Sequence, residues 1–193
     1  MSRIPLVAAL EVIRQLRTDQ IVVTTMGAAR EWPRMSDHSL DFHYIPSAMG
    51  QSPSIALGLA LAQLQREVIV FTGDGSLLMN LGCLVTLAAS GAKNLTLILL
   101  DNGVYEVIGG QKTAGQLARA DFAGFATAAG IESVATFDDL IDWQHGAATV
   151  LNLPGPRFIS LLVEPVRDDY SLEVPGPIRP RVERLRAVLS SPK

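Results

Sequence analysis

The sequence predicts an α/β fold, an open and mostly parallel sheet with helices on both faces, and three observations carry that expectation. Two short runs, Val68 to Thr72 and Leu95 to Leu100, are almost wholly apolar, as strands buried on both faces of a parallel sheet are. Each closes on a turn rich in small polar residues, Gly73-Asp74-Gly75-Ser76 and Asp101-Asn102-Gly103. The residues between them repeat apolar positions with helical period, which makes one β-α-β unit.

From the N-terminus, Ile4, Val7, Ala8, Leu10, Ile13 and Leu16 recur at helical spacing and lead into a β-branched strand, Ile21 to Thr25. Gly27, Trp32 and Pro33 read as a loop, Phe42 to Ile45 as a short strand, and Pro53 to Gln65 as a helix in which Ala56, Gly58, Ala60 and Ala62 suit close packing. Leu77 to Ser90 reads as one helix stopped by Gly91. Asp121 to Ala129 is a helix ended by Gly130, Ser133 to Ala135 a strand, Asp138 to Leu151 a helix and Phe158 to Val163 a strand. A proline- and glycine-rich run, Val174 to Pro180, precedes a terminal helix carrying Val182, Leu185, Val188 and Leu189, so that 174–193 forms a tail on a single domain spanning 1–193.

Composition bounds the function. With 193 residues, 48% hydrophobic and 18% charged, the chain is too apolar for a disordered protein, and a net charge of −3 offers no footprint for a nucleic-acid backbone. One cysteine, Cys83, makes no internal disulfide, and the N-terminus has no leader-like pattern, so a cytoplasmic setting is expected. The most apolar stretch, Ile55 to Leu64, is too short to span a bilayer and reads as a buried helix, so no membrane partner is expected. A mean hydropathy of +0.27 is high for so small a domain and implies apolar surface buried against another subunit.

In an open parallel sheet the chemistry sits at the carboxyl ends of the strands. Gly73 and Gly75 permit a tight turn with exposed amides, and Ser76 adds a hydroxyl, which suits a phosphate. Neither a P-loop lysine nor the third glycine of a dinucleotide fingerprint follows. Asp74 in such a cradle repels a phosphate unless a cation lies between them, and Asn102 at the next strand end is an oxygen donor for that cation. A diphosphate held through Mg²⁺ satisfies both turns.

The stretch GDGSLLMNLGCLVTLAASGAKNLTLILLDNGVY resembles the diphosphate-binding motif of thiamine diphosphate-dependent enzymes. The resemblance extends over TTMGAAREW, SAMGQSPSIALGLALA, KNLTLILLDNGVYE and GGQKT, and within the family it is nearest to the β-type subunit of sulfopyruvate decarboxylase and to phosphonopyruvate decarboxylase. It implies thiamine diphosphate and Mg²⁺ as cofactors, with Asp74, Asn102 and the Val104 carbonyl as metal ligands. It also implies Met49 as the residue that bends the cofactor into a V, the backbone of Ser47 and Met49 on the aminopyrimidine, and Gly27 and Ala28 along the diphosphate. Gly73, Gly75, Ser76 and Tyr105 complete the implied cofactor site. Enzymes of this family carry a second domain whose glutamate activates the pyrimidine. The resemblance therefore implies a separate subunit bearing that domain, a hetero-oligomer, and decarboxylation of a small 2-keto acid. Carboligation through the same cofactor, and a non-catalytic binding or assembly subunit, stand as alternatives.

Two stretches depart from the family pattern. Gly27-Ala28-Ala29-Arg30-Glu31 lacks the serine that the decarboxylases place before the arginine, and Tyr105 is followed by Glu106-Val107-Ile108 where they have Gly-Ser-Thr. A carboxylate at Glu106 either weakens binding of an anionic keto acid or supplies a general acid. Of His38, His43 and His145, His43 is nearest the Ser47 to Gly50 segment. Arg30 and Lys112 are candidates for a substrate carboxylate. Met79 and Cys83 read as core residues.

Overall fold

The computed structural model describes residues 3–166 and 176–190. In chain order the elements are α1 (Leu6–Leu16), β1 (Ile21–Thr24), α2 (Met26–Met35), β2 (Asp41–His43), α3 (Ser52–Ala62), β3 (Val68–Gly73), α4 (Asp74–Leu78) and α5 (Cys83–Ser90). Then follow β4 (Leu95–Asp101), β5 (Val104–Tyr105), β6 (Gln111–Lys112), α6 (Ala114–Ala118), α7 (Phe122–Ala128), β7 (Ser133–Phe137), α8 (Leu140–Leu151), β8 (Arg157–Leu162) and α9 (Ile178–Leu189). Six strands pair in the order β2-β1-β3-β4-β8-β7, and every pairing is parallel. The predicted sheet is the observed one.

Side chains of successive strand residues point to opposite faces, so an almost continuous apolar run feeds two cores at once. Val68, Val70, Leu95, Leu97, Leu99 and Phe158 pack on one face, with residues of α3, α5, α7 and α9. Ile69, Phe71, Ile98, Leu100, Ile159 and Leu161 pack on the other, with α1, α2 and α8. Trp143 of α8 is fully buried and donates its indole N–H to the Ala9 carbonyl at 3.1 Å, which pins α8 to α1. Asp121 and Asp139 cap α7 and α8, accepting backbone N–H groups from Gly124 and from Ile141 and Asp142.

The structure corrects several local expectations. Gly27 and Pro33 lie inside helix α2 instead of a loop. Trp32, fully buried with its ring centroid 5.5 Å from that of Phe71, ties this segment to the sheet and outweighs the breakers. The single helix read over Leu77 to Ser90 is two, α4 and α5, separated by a turn at 79–82. That turn carries Met79 outward, 57% exposed, so Met79 is no core residue, whereas Cys83 is buried as expected. Helix α3 is half-buried: Ala56 and Ala60 face the core, while Gly58, Leu61 and Ala62 are exposed. Leu185 anchors the terminal helix and Val182 is exposed. Of the proline- and glycine-rich run, residues 174 and 175 lie outside the described residues, as do 1, 2 and 191–193.

Candidate functional site

From β1 the chain moves to one side for β2 and to the other for β3, so the sheet changes direction between β1 and β3. At such a point the loops leave to opposite sides and a crevice opens at the strand ends. The structure has a cleft there, open to solvent. Thr25, Met26 and Gly27 line it after β1, Gly73 to Ser76 at the end of β3, Asn102 and Val104 to Val107 after β4, Val163 and Glu164 after β8, and Met49 from the segment between β2 and α3.

Ten of the residues singled out from the sequence meet in this cleft: Gly27, Met49, Gly73, Asp74, Gly75, Ser76, Asn102, Val104, Tyr105 and Glu106. Two others stand apart. Ala28 is turned by α2 into the core beside Trp32, and Ser47 lies half-buried in the segment before Met49, outside the lining. Arg30 is buried against Glu31 at 2.6 Å and Lys112 is exposed on β6. His43 is outside the cleft too, its Nδ1 2.8 Å from the Thr24 hydroxyl.

Burial sets the electrostatics. Asp74 is 1% exposed, and loss of water pushes its carboxyl above the usual range, against the pull of a hydrogen bond from the Thr113 hydroxyl at 2.7 Å. Asp101, beside it on the next strand, is pushed up to about 6 by burial and then by the charge of Asp74. The two carboxylates repel one another, and the charge of the Arg3 guanidinium opposes that repulsion at both. Asn102 Oδ1 accepts the Val104 amide at 2.9 Å, which fixes the amide group and leaves a lone pair on the same oxygen. Among the described residues no group of three or more His, Cys, Asp or Glu side chains is placed to hold a metal. The donor set here is instead one carboxylate, one amide oxygen and main-chain carbonyls, which suits a hard, oxygen-seeking cation.

Two supporting residues, Thr113 and Gly50, escaped the sequence reading. Thr113 caps α6, its hydroxyl accepting the Gln116 amide at 3.2 Å while donating to Asp74, and the pattern Thr113-Ala114-Gly115-Gln116 is a helix-start signature that marks it. Gly50, with φ of 82°, donates its amide to Ser76 Oγ at 2.9 Å and accepts from Asn80 Nδ2 at 3.0 Å, stitching the Met49 segment to α4. A side chain at Gly50 would meet the Asn80 Cβ at 2.8 Å. Gly75 is equally constrained: the Tyr105 ring lies where its Cβ would stand, with Cε1 only 2.2 Å away.

A parallel sheet with a cleft at its switch point, lined by a Gly-Asp-Gly turn facing an asparagine turn, defines a thiamine diphosphate-binding α/β fold. Residues 21–161 match the family model described as thiamine pyrophosphate enzyme, C-terminal TPP binding domain, and the chain belongs to that family. It is 38% identical over 164 residues to sulfopyruvate decarboxylase subunit beta of Methanothermobacter thermautotrophicus, covering 84% of each chain. It is 37% identical over 194 residues to phosphonopyruvate decarboxylase of Streptomyces viridochromogenes, covering 96% of this chain but 46% of that protein, so it spans about half the length of that relative. Among solved structures, the thiamine diphosphate-dependent 4-hydroxybenzoylformate decarboxylase of Rhodococcus jostii shares the fold, with a TM-score of 0.67 at 18% identity over 83% of this chain and 33% of that one.

Proposed function

We propose that the chain supplies the diphosphate- and metal-binding half of a thiamine diphosphate- and Mg²⁺-dependent decarboxylase of a small 2-keto acid. The observation that carries this reading is the meeting of Asp74 and Asn102 at adjacent strand ends in one cleft, since no demand of packing calls for a buried carboxylate beside Asp101. The names of the two relatives, both decarboxylases, support it. Asp74, Asn102 and the Val104 carbonyl would hold Mg²⁺, and Ser76 and the amides of the Gly73 to Gly75 turn would hold the diphosphate. Met49 would support the bent cofactor, fixed by the hydrogen bonds at Gly50.

When bound, thiamine diphosphate supplies the nucleophilic carbon and the electron sink that carry decarboxylation. The protein's share is geometry and charge. Val107 and Ile108 are 40% and 62% exposed, beside the cleft mouth, and Glu106 presents a carboxylate within it. A separate subunit bearing the pyrimidine-binding domain would supply the activating glutamate. The β-subunit relative supports such a hetero-oligomer, as do the exposed Leu61, Leu64, Met79, Val85 and Leu117, apolar side chains that a partner would cover.

Calorimetric titration of thiamine diphosphate with Mg²⁺ into the chain, alone and mixed with its partner subunit, tests the reading, with binding expected in the mixture. The Asp74→Ala variant should abolish binding and CO₂ release while leaving the fold intact by circular dichroism. Unchanged activity of the Asp74→Ala complex would sink the proposal.

A further inference from the structure

Segment 44–51, which carries Met49 into the cleft, lies outside any helix or strand and so depends on what holds its two ends. The downstream end is held at Gly50, by Ser76 Oγ and Asn80 Nδ2. The upstream end leaves β2, the edge strand of the sheet. There the Tyr44 amide donates to the Thr24 carbonyl at 2.9 Å, and Arg181 of α9 donates from Nη1 to the His43 carbonyl and from Nη2 to the Ile45 carbonyl. These two carbonyls flank Tyr44, whose hydroxyl in turn accepts the Ala48 amide at 3.4 Å. Arg181 Nη2 also donates to the Gly176 carbonyl at 3.2 Å, so the guanidinium bridges the start of α9 to the start of the segment. The helix itself is anchored through Leu185, buried in the same core as Leu40 and Phe42.

We infer that Arg181 is a positioning residue for the cofactor site: it reaches from α9 to fix the upstream end of the segment, as Gly50 fixes the downstream end, and so keeps Met49 in the cleft. The inference rests on the reading of Met49 as the support of the bent cofactor and extends it to a residue outside the cleft lining. An irregular segment tied at one end samples arrangements in which Met49 is out of place, and the apparent affinity for a ligand falls with the fraction of competent arrangements. Two hydrogen bonds from a half-buried guanidinium shift that fraction by about tenfold. The Gly73 to Ser76 turn and Asn102 are carried by β3 and β4, whereas α9 packs against β2, so a ligand that occupies only the diphosphate end should not register the loss.

The test uses the complex of this chain with its partner subunit. Arg181→Met keeps the aliphatic stem and removes the donors. It should weaken binding of thiamine diphosphate, titrated with Mg²⁺, about tenfold, while the affinity for inorganic pyrophosphate with Mg²⁺ stays within about twofold. Arg181→Lys, which restores a cation able to reach one carbonyl, should recover about half of that loss on a logarithmic scale. Hydrogen exchange of the complex without cofactor should quicken about tenfold at the Ala48 and Gly50 amides and stay unchanged in β3 and β4. Equal loss for both ligands, or faster exchange throughout, would overturn the inference, because Arg181 would then serve the stability of the whole domain. So would unchanged thiamine diphosphate affinity in Arg181→Met when wild type binds the cofactor. If wild type binds no thiamine diphosphate, the cofactor reading fails and exchange decides alone: faster exchange confined to the segment supports the role of Arg181, and unchanged exchange refutes it.

Discussion

Thr113 is the residue through which the stability of the hairpin region and the competence of the candidate metal site are joined. Its side chain is fully buried and makes two hydrogen bonds, one donated to Asp74 Oδ2 at 2.7 Å and one accepted from the Gln116 amide at 3.2 Å. Thr113→Val keeps the volume and removes both. A hydrogen bond to a charged, buried acceptor contributes about 1.5–3 kcal/mol, and a helix N-cap about 1 kcal/mol, so the variant should lose about 2.5–4 kcal/mol. For a domain of this size each kcal/mol moves Tm by about 2–4 °C, which gives a fall of roughly 5–16 °C. Thr113→Ser keeps the hydroxyl and loses one methyl, about 1 kcal/mol, and should fall by only a few degrees. Thermal unfolding followed by circular dichroism measures both, and Mg²⁺ titration in the presence of thiamine diphosphate should show the affinity weakened in the Val variant and retained in the Ser variant. Equal Tm and equal Mg²⁺ affinity for the two variants would refute the reasoning, because the hydroxyl would then hold neither Asp74 nor the helix.

Gly75→Ala should displace the Tyr105 ring, 2.2 Å from the added methyl, and weaken thiamine diphosphate binding at least about tenfold, whereas Gly73→Ala, whose Cβ meets nothing within 4 Å, should leave Tm unchanged; parallel titration and melting of the two separate the effects. Burial pushes the Cys83 thiol up to about 11, so a thiol reagent at neutral pH should modify it only as fast as the protein unfolds, and rapid modification of the native protein would contradict its placement. Burial lowers the pKa of His43 below 6.5, with Asp41 opposing the shift and Arg181 and Arg17 adding to it. The unfolded chain then takes up the proton first, so this contribution to stability is complete above pH 6.5 and is lost as pH falls through the folded-state value. Denaturant unfolding at pH 7.5 and about pH 5.5 should show a smaller loss in His43→Gln than in wild type.

The strands were legible because their runs are apolar on both faces, a pattern that few surface elements share. Val68 to Thr72 and Leu95 to Leu100 fall where the sequence puts them, and both site turns follow directly. Helix α2 was not legible, because Gly27 and Pro33 are local breakers and the force that overrides them, burial of Trp32 against Phe71, comes from a strand many residues later. The same holds for the site. Asp74 and Asn102 announce themselves within one β-α-β unit, whereas Thr113 reaches Asp74 only after the β5-β6 hairpin has turned the chain back, and two-residue strands leave little pattern to read.

That division has a structural cause in the register of the sheet. Gly73 pairs with Leu100 across β3 and β4, which brings Asp74 level with Asp101 and leaves Asn102 one residue beyond. The register is itself fixed by burial, since a slip of one residue would turn Val68 and Val70 toward the core that now holds Ile69 and Phe71. The apolar pattern that makes the fold therefore also sets the spacing of the two acidic turns. Asp74 stays in a place where its charge is costly because the strands on either side leave it no other; the Thr113 hydroxyl and the Arg3 charge offset part of that cost, and the proposed Mg²⁺ would offset more.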